Sequence, residues 1–169
     1  MVRALLFADA QGYSELADEQ AARFAEEVLG AFARVLDRYG DAVEHRNTWG
    51  DALYVVLTST LAAAQCALEL QDAMPATDGL ALRTAVHVGP VFPIRDPVLG
   101  VRAFTGSHVS RTARIEPVTP PGTVYVTEPF AASLELEPDH GLACDYVGHM
   151  PAAKDYGRLR MYRLMRRRR

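Results

Sequence analysis

The feature that most constrains this chain is its first apolar run. Residues 3–8 read Arg-Ala-Leu-Leu-Phe-Ala, end on Asp9, and are followed by the break at Gly12. A run that short and that continuous suits a strand covered on both faces. It also delivers a carboxylate to the strand's C-terminal end. A helix is expected over residues 14–39, because Phe24, Val28, Phe32, Val35 and Tyr39 recur three and four apart as one buried stripe, and Gly40 ends it. Residues 42–49 and 52–57 read as two strands joined tightly at Gly50-Asp51, a hairpin signal. Residues 59–74 form a second amphipathic helix, opened by Ser59 and stopped near Pro75. A strand over 80–88 is turned by Gly89-Pro90, and the proline-containing stretch 91–100 reads as loop. A short helix over 106–115, a turn over 117–122, a strand over 122–127 and a helix over 129–136 follow. Tyr146 and residues 161–164 lie in a closing strand pair. The order is β α β β α β α β α β β. Alternation that includes hairpins implies an α+β fold with a mixed or antiparallel sheet, not a doubly wound parallel one. No repeat or linker divides the chain, so residues 1–169 are expected to be a single domain.

Composition excludes several classes. A net charge of −3 gives no reason to expect nucleic acid as the main partner. The basic cluster Arg166 to Arg169, preceded by Arg163, reads as a solvated, frayed end or as a phosphate or membrane contact. No run of 18 apolar residues exists, so no membrane span is expected, and residues 2–8 are not a signal peptide. Cys66 and Cys144 have no CxxC or CxxH neighbour, which argues against zinc and for a reducing, cytoplasmic setting. Strand one begins almost at Met1, so no upstream sensor domain is expected within these residues, and the chain is either free-standing or cut from a longer protein.

Two carboxylates stand out. Asp9 ends the first strand and Asp51 sits in the hairpin, both with no basic partner beside them in sequence. Either each caps its turn, or the two converge on a hard cation. Mg²⁺ typically takes one or two carboxylates and completes its shell with water and phosphate oxygens. Residues 12–15 open a helix, so the backbone around Gly12 and Tyr13 could cradle a phosphate. Ser110 and Arg114 lie four apart and share a helix face. Arg114 is either a surface arginine or a group that stabilises charge on a phosphoryl oxygen. Lys154, in a turn before the last strand, is either solvated or a point charge for phosphate. The five histidines form no metal-spacing pair, and neither a nucleophile elbow nor a P-loop occurs.

Taken in order, these segments resemble the class III adenylate and guanylate cyclase catalytic domain. Phe7-Ala8-Asp9-Ala10-Gln11-Gly12-Tyr13-Ser14 is similar to that family's first metal motif, F-x-D-I-x-G-[FY]-[ST]. Trp49-Gly50-Asp51 resembles its G-D hairpin. Residues 82–91 (LRTAVHVGPV) resemble L-R-x-G-[IV]-H-x-G-x-V, and residues 106–115 (GSHVSRTARI) resemble G-x-x-V-N-x-A-[AS]-R-[ILM]. Residues 122–127 (GTVYVT) and 161–164 (MYRL) resemble the G-x-[IV]-x-[VA]-[ST] strand and the closing [VL]-Y-x-L. The resemblance spans nearly the whole chain. It implies a ferredoxin-like, palm-type sheet with flanking helices, paired head to tail into a homodimer whose composite sites bind a nucleoside triphosphate. It implies two Mg²⁺ or Mn²⁺ ions on Asp9, Asp51 and the Ala10 carbonyl. Arg114 from the other subunit would stabilise the α-phosphate, and Lys154 would bind the triphosphate.

The base-reading positions depart from the family pattern. Asn47 stands where adenylate cyclases carry a lysine and guanylate cyclases a glutamate, and Ala103, beside Arg102 and Thr105, stands where an aspartate is expected. Ser110 replaces the family's ribose-contacting asparagine and offers fewer hydrogen bonds. Specificity rests on buried polar groups that only the right base satisfies. The departure therefore opens UTP or CTP as substrate, as in the pyrimidine cyclases of bacterial antiviral signalling. An adenylate cyclase, or a catalytically weak nucleotide-binding or dimerisation module, are the alternatives. A diguanylate cyclase palm is disfavoured, because GG[DE]EF is missing.

Overall fold

The computed structural model of this chain describes residues 1–75 and 79–167. Strand β1 (Val2–Gln11) lies at the centre, antiparallel to β3 (Ala52–Leu57) on one side and to β4 (Ala81–Pro90) on the other. Its alternation explains the continuous apolar run. Ala4, Leu6, Ala8 and Ala10 face one layer, while Leu5 packs with Val56, Val91 and Phe104 on the opposite face. Successive strand residues point to opposite faces, so Asp9 projects on the Leu5 face.

The first layer is helical. The stretch expected as one helix over 14–39 is divided. A single 3₁₀ turn (Tyr13–Glu15) comes first, followed by α1 (Asp18–Phe24), a π-helical turn (Ala25–Leu29) and α2 (Gly30–Asp37). Helix α1 starts late because the chain is extended at Leu16 and Ala17, and the Gln20 side chain accepts the Ala17 N–H at 2.9 Å. The stripe itself holds, with Phe24, Val28, Phe32 and Val35 buried. Helix α3 (Thr60–Ala73) is capped by Ser59, whose hydroxyl accepts the Ala62 N–H at 3.2 Å. Its Ala63, Ala64, Cys66 and Ala67 are fully buried, so small side chains let the helix approach the sheet closely. The layer is completed by α5 (Glu128–Leu134), with Pro129 in its first turn.

The large sheet has the order β2 (Val43–Trp49), β3, β1, β4, β7 (Thr123–Thr127), β9 (Arg158–Arg166), β8 (Leu142–Pro151). Among the described residues only β4 and β7 run parallel, and α4 (Ser107–Ile115) lies on the connection between them. Strands β1 to β4 with α1–α2 and α3 make the βαββαβ unit of a ferredoxin-like core. The expected α+β class and mixed sheet are therefore observed. Two sequence expectations need correction. Gly89-Pro90 does not turn the chain, because β4 runs through Pro90. Residues 91–100 are not plain loop, since β5 (Phe92–Arg95) pairs with β6 (Arg102–Thr105) as a separate hairpin. Its pattern was hidden by Pro93 and by outward-facing residues that bury little. The basic tail is also only partly free. Arg166 closes β9 and pairs with Asp72, and Arg167 lies 3.6 Å from Glu135, while Arg168 and Arg169 lie outside the described residues.

Candidate functional site

The β2–β3 hairpin turns on two residues, with Gly50 at φ +59, a conformation that glycine adopts without strain. This turn brings Asp51 back to the end of β1, where its Oδ2 accepts the Ala10 N–H at 3.1 Å. The two aspartates of the sequence reading are thus neighbours in space. Burial, a hydrogen bond with the Asp9 carboxyl and the charge of Asp9 push Asp51 up to about 7 from 3.8. Two carboxylates this close cannot both be charged cheaply. Either a shared proton or a cation relieves them.

The expectation that no basic group accompanies the pair does not hold in three dimensions. Arg83 is the cross-strand partner of Asp9 in the β1–β4 register, so the two side chains share a face. Arg83 Nη2 donates to Asp9 Oδ2 at 3.3 Å and lies 3.1 Å from Glu116 Oε1, while Nη1 donates to the Pro117 carbonyl at 3.4 Å. Burial first, then the charge of Asp9, push Glu116 up to about 7 against the opposing pull of Arg83. Among the described residues, Arg83 Nε and Glu116 Oε1 are buried without an aligned hydrogen-bond partner, so the Arg83–Glu116 contact is a charge contact only. Sequence reading missed both residues. Arg83 stands inside the motif over 82–91 and Glu116 directly after the one over 106–115, but only strand register and the exit of α4 put them beside Asp9.

The residues present fit a divalent cation. Each aspartate has one oxygen anchored by the protein, by Arg83 for Asp9 and by the Ala10 N–H for Asp51, and the cluster carries more negative than positive charge. Among the described residues no group of three or more His, Cys, Asp or Glu is placed to hold a metal alone. The rest of the shell would have to come from the Ala10 carbonyl, substrate and water.

The expected phosphate cradle at Gly12 and Tyr13 changes character. The segment is one 3₁₀ turn and not the start of the long helix, so no helix dipole stands behind it. Gly12 is required for another reason. Its φ is +91 and an added Cβ would lie 2.5 Å from the Gly79 carbonyl. Tyr13 packs edge-on against Phe24 at 4.9 Å and beside Gly50.

Ser110 is exposed on α4 and Arg114 half-buried on the same helix. The turn carrying Lys154 is strapped to that helix. Ala153 N–H donates to the Arg114 carbonyl at 2.8 Å, and the Tyr156 hydroxyl donates to the Ser107 carbonyl at 3.3 Å. The structure therefore brings Lys154, at φ +55, and Arg114 together. It does not bring Arg114 to the aspartates. Among the described residues no hydrogen bond or ion pair joins them, and helix residues two apart, such as Arg114 and Glu116, do not share a face.

Asn47 is exposed on β2, and its side-chain oxygen accepts the Thr48 N–H at 2.9 Å. Ala103 and Thr105 lie on β6, opposite Ile94 and Phe92. The two elements touch where His45 Nδ1 meets the Arg102 carbonyl at 3.0 Å. Asn47 is two residues along β2 from that contact and Ala103 one residue along β6. His87, read as structural, is buried. Its Nδ1 meets the Thr127 hydroxyl at 2.6 Å and its Nε2 meets His108 Nδ1 at 2.7 Å.

No family model and no curated protein matches this chain. Solved structures do. The guanylate cyclase domain of RhGC from Catenaria anguillulae, solved with GTP, superposes with a TM-score of 0.82 at 16% identity, covering 99% of this chain and 97% of that one. The adenylyl cyclase CyaB from P. aeruginosa gives 0.80 at 16% identity, covering 100% and 97%. An adenylate cyclase from Trypanosoma brucei, solved as a monomer, gives 0.76 at 19% identity, covering 96% and 89%. The chain has the fold of the class III adenylyl and guanylyl cyclase catalytic domains.

Proposed function

We propose that this chain is a class III nucleotide cyclase that converts a nucleoside triphosphate to the 3′,5′-cyclic nucleotide and pyrophosphate. The observation that carries the reading is the convergence of Asp9 and Asp51 at one sheet end, where burial and the neighbouring Asp9 push Asp51 up to about 7. Asp9, Asp51 and the Ala10 carbonyl would hold two Mg²⁺ or Mn²⁺ ions, which when bound would supply charge neutralisation and activation of the ribose 3′-hydroxyl. Asp51 stays aimed through the Ala10 N–H. Arg114 and Lys154, on one strapped unit, would place two positive charges on the triphosphate, Arg114 against the charge that develops at the α-phosphate. Because they do not reach the aspartates of their own chain, the reading requires a homodimer in which each site draws on both chains. Trp49 on the β2–β3 hairpin, 88% exposed, and Phe92, Val98 and Leu99 around the β5–β6 hairpin supply apolar surface for such a contact.

Asn47 supports an atypical base. Its oxygen already accepts the Thr48 N–H, so the amide NH₂ is the freer group and favours a base that offers a carbonyl, such as uracil O4. A pyrimidine cyclase, with UTP ahead of CTP and a role of the antiviral-signalling type, fits this better than an adenine reader. A second reading, a catalytically weak nucleotide-binding module, is favoured by one observation, the pairing of Asp9 with Arg83. Incubation with ATP, GTP, CTP or UTP and Mn²⁺ or Mg²⁺, with product identified by mass, separates the two. One cyclic product that disappears in Asp51→Ala is the expected result. No product from any triphosphate with a folded dimer would reject the cyclase and leave the binding module.

A further inference from the structure

Resting on the reading of Asp9 and Asp51 as the cation site, we infer that Arg83, held by Glu116, is a positioning residue that aims the Asp9 carboxylate at the cation. The guanidinium lies directly across the β1–β4 ladder from Asp9 and binds its Oδ2, the counterpart of the Ala10 N–H on Asp51 Oδ2. The Oδ2 of each aspartate is thereby fixed to the protein, and the carboxyl–carboxyl contact between the two is what a cation would replace.

The second arm of the arrangement is what distinguishes it from a simple strand-to-strand ion pair. Arg83 also holds Glu116 and the Pro117 carbonyl, the residues through which α4 leaves its last turn. The fork of a guanidinium can make these contacts in one plane, whereas an ammonium cannot. The network is also poorly built for stability alone. The Arg83, Asp9 and Glu116 side chains are only 23%, 27% and 12% exposed, yet Arg83 Nε and Glu116 Oε1 lack aligned partners, and burying charge at that cost gives little net stability. Glu116 takes up part of the positive charge of Arg83, so Asp9 is oriented without being fully neutralised. In the proposed dimer, the same link would tie the aspartates of one site to the helix whose Arg114 serves the other.

The test measures Mn²⁺ binding by the full chain, with free Mn²⁺ counted from its paramagnetic resonance signal. Quenching of Trp49, the sole tryptophan and two residues from Asp51, serves as a second readout. Arg83→Gln removes a positive charge beside the carboxylates. If Arg83 only competed with the cation, Mn²⁺ would bind more tightly. Positioning predicts the opposite, a loss of about tenfold in affinity, the scale set by losing an outer-shell partner of a metal ligand. Arg83→Lys keeps the charge and loses the fork, so it isolates geometry even if Arg83→Gln fails to fold. It is expected to weaken Mn²⁺ binding severalfold with an unchanged circular dichroism spectrum. Tighter or unchanged binding in Arg83→Gln, or wild-type affinity in Arg83→Lys, would overturn the inference. Failure of wild-type protein to bind Mn²⁺ in an Asp51-dependent way would instead reject the cation site itself.

Discussion

Asp51→Asn should stabilise the metal-free protein while removing its response to cations. Asparagine keeps an oxygen to accept the Ala10 N–H, so the change removes charge and little else. In the folded state Asp51 sits at about 7 against an ordinary 3.8, mainly through burial and then through Asp9. The folded chain therefore holds a proton that the unfolded chain has lost, and stability falls as pH rises from about 4 to 7. The full gap corresponds to a ceiling of roughly 4 kcal/mol. The pair is open to water on one side, which reduces the expected contribution to about 1 kcal/mol. For a chain of this length that is about 3 °C in melting temperature. Thermal unfolding followed by circular dichroism in EDTA should show the variant melting higher at pH 8, with the difference vanishing by pH 4. Added Mn²⁺ should raise the wild-type melting temperature and leave the variant unmoved. A variant that melts at or below wild type at pH 8, or a difference that does not shrink on acidification, would refute the like-charge argument.

Two further outcomes follow from packing. Gly89→Ala would place a Cβ 2.2 Å from His108 Nδ1 and separate His108 from His87, so it should cost about 1–3 kcal/mol in denaturant unfolding. Burial pushes Cys66 up to about 12 and Cys144 up to about 11. Native protein at pH 8 should therefore react slowly with a thiol reagent, and both thiols should appear once denaturant is added. Rapid native labelling of Cys66 would contradict the packing of α3 against the sheet.

Much of the architecture was legible because local patterns and global packing agree. The first apolar run, the Phe24–Val35 stripe, the Ser59 cap and the Gly50-Asp51 hairpin each carry a periodicity or a turn requirement that the fold honours. The β5–β6 hairpin was not legible. It pairs outside the main sheet and carries Pro93, so neither alternation nor continuity marks it. The break between α1 and α2 was also hidden, because a π-helical turn leaves the apolar spacing nearly intact.

The candidate site divides in the same way. The sequence by itself determined that Asp51 sits in the hairpin turn and that Ser110 and Arg114 share a helix, since turns and helical spacing are local properties, but it placed Asp9 at the end of a strand that in fact runs on to Gln11. It also placed Asn47 and Ala103 where the family it resembles carries a base-reading pair of other residue types. Only the tertiary structure decided that the aspartates meet and that Arg83 and Glu116 stand with them. It also decided that the Lys154 turn is strapped to Arg114, and that Arg114 is not joined to the aspartates of its own chain. Cross-strand register and the packing of α4 over the sheet set those contacts, and both depend on residues that lie tens of positions apart in the chain.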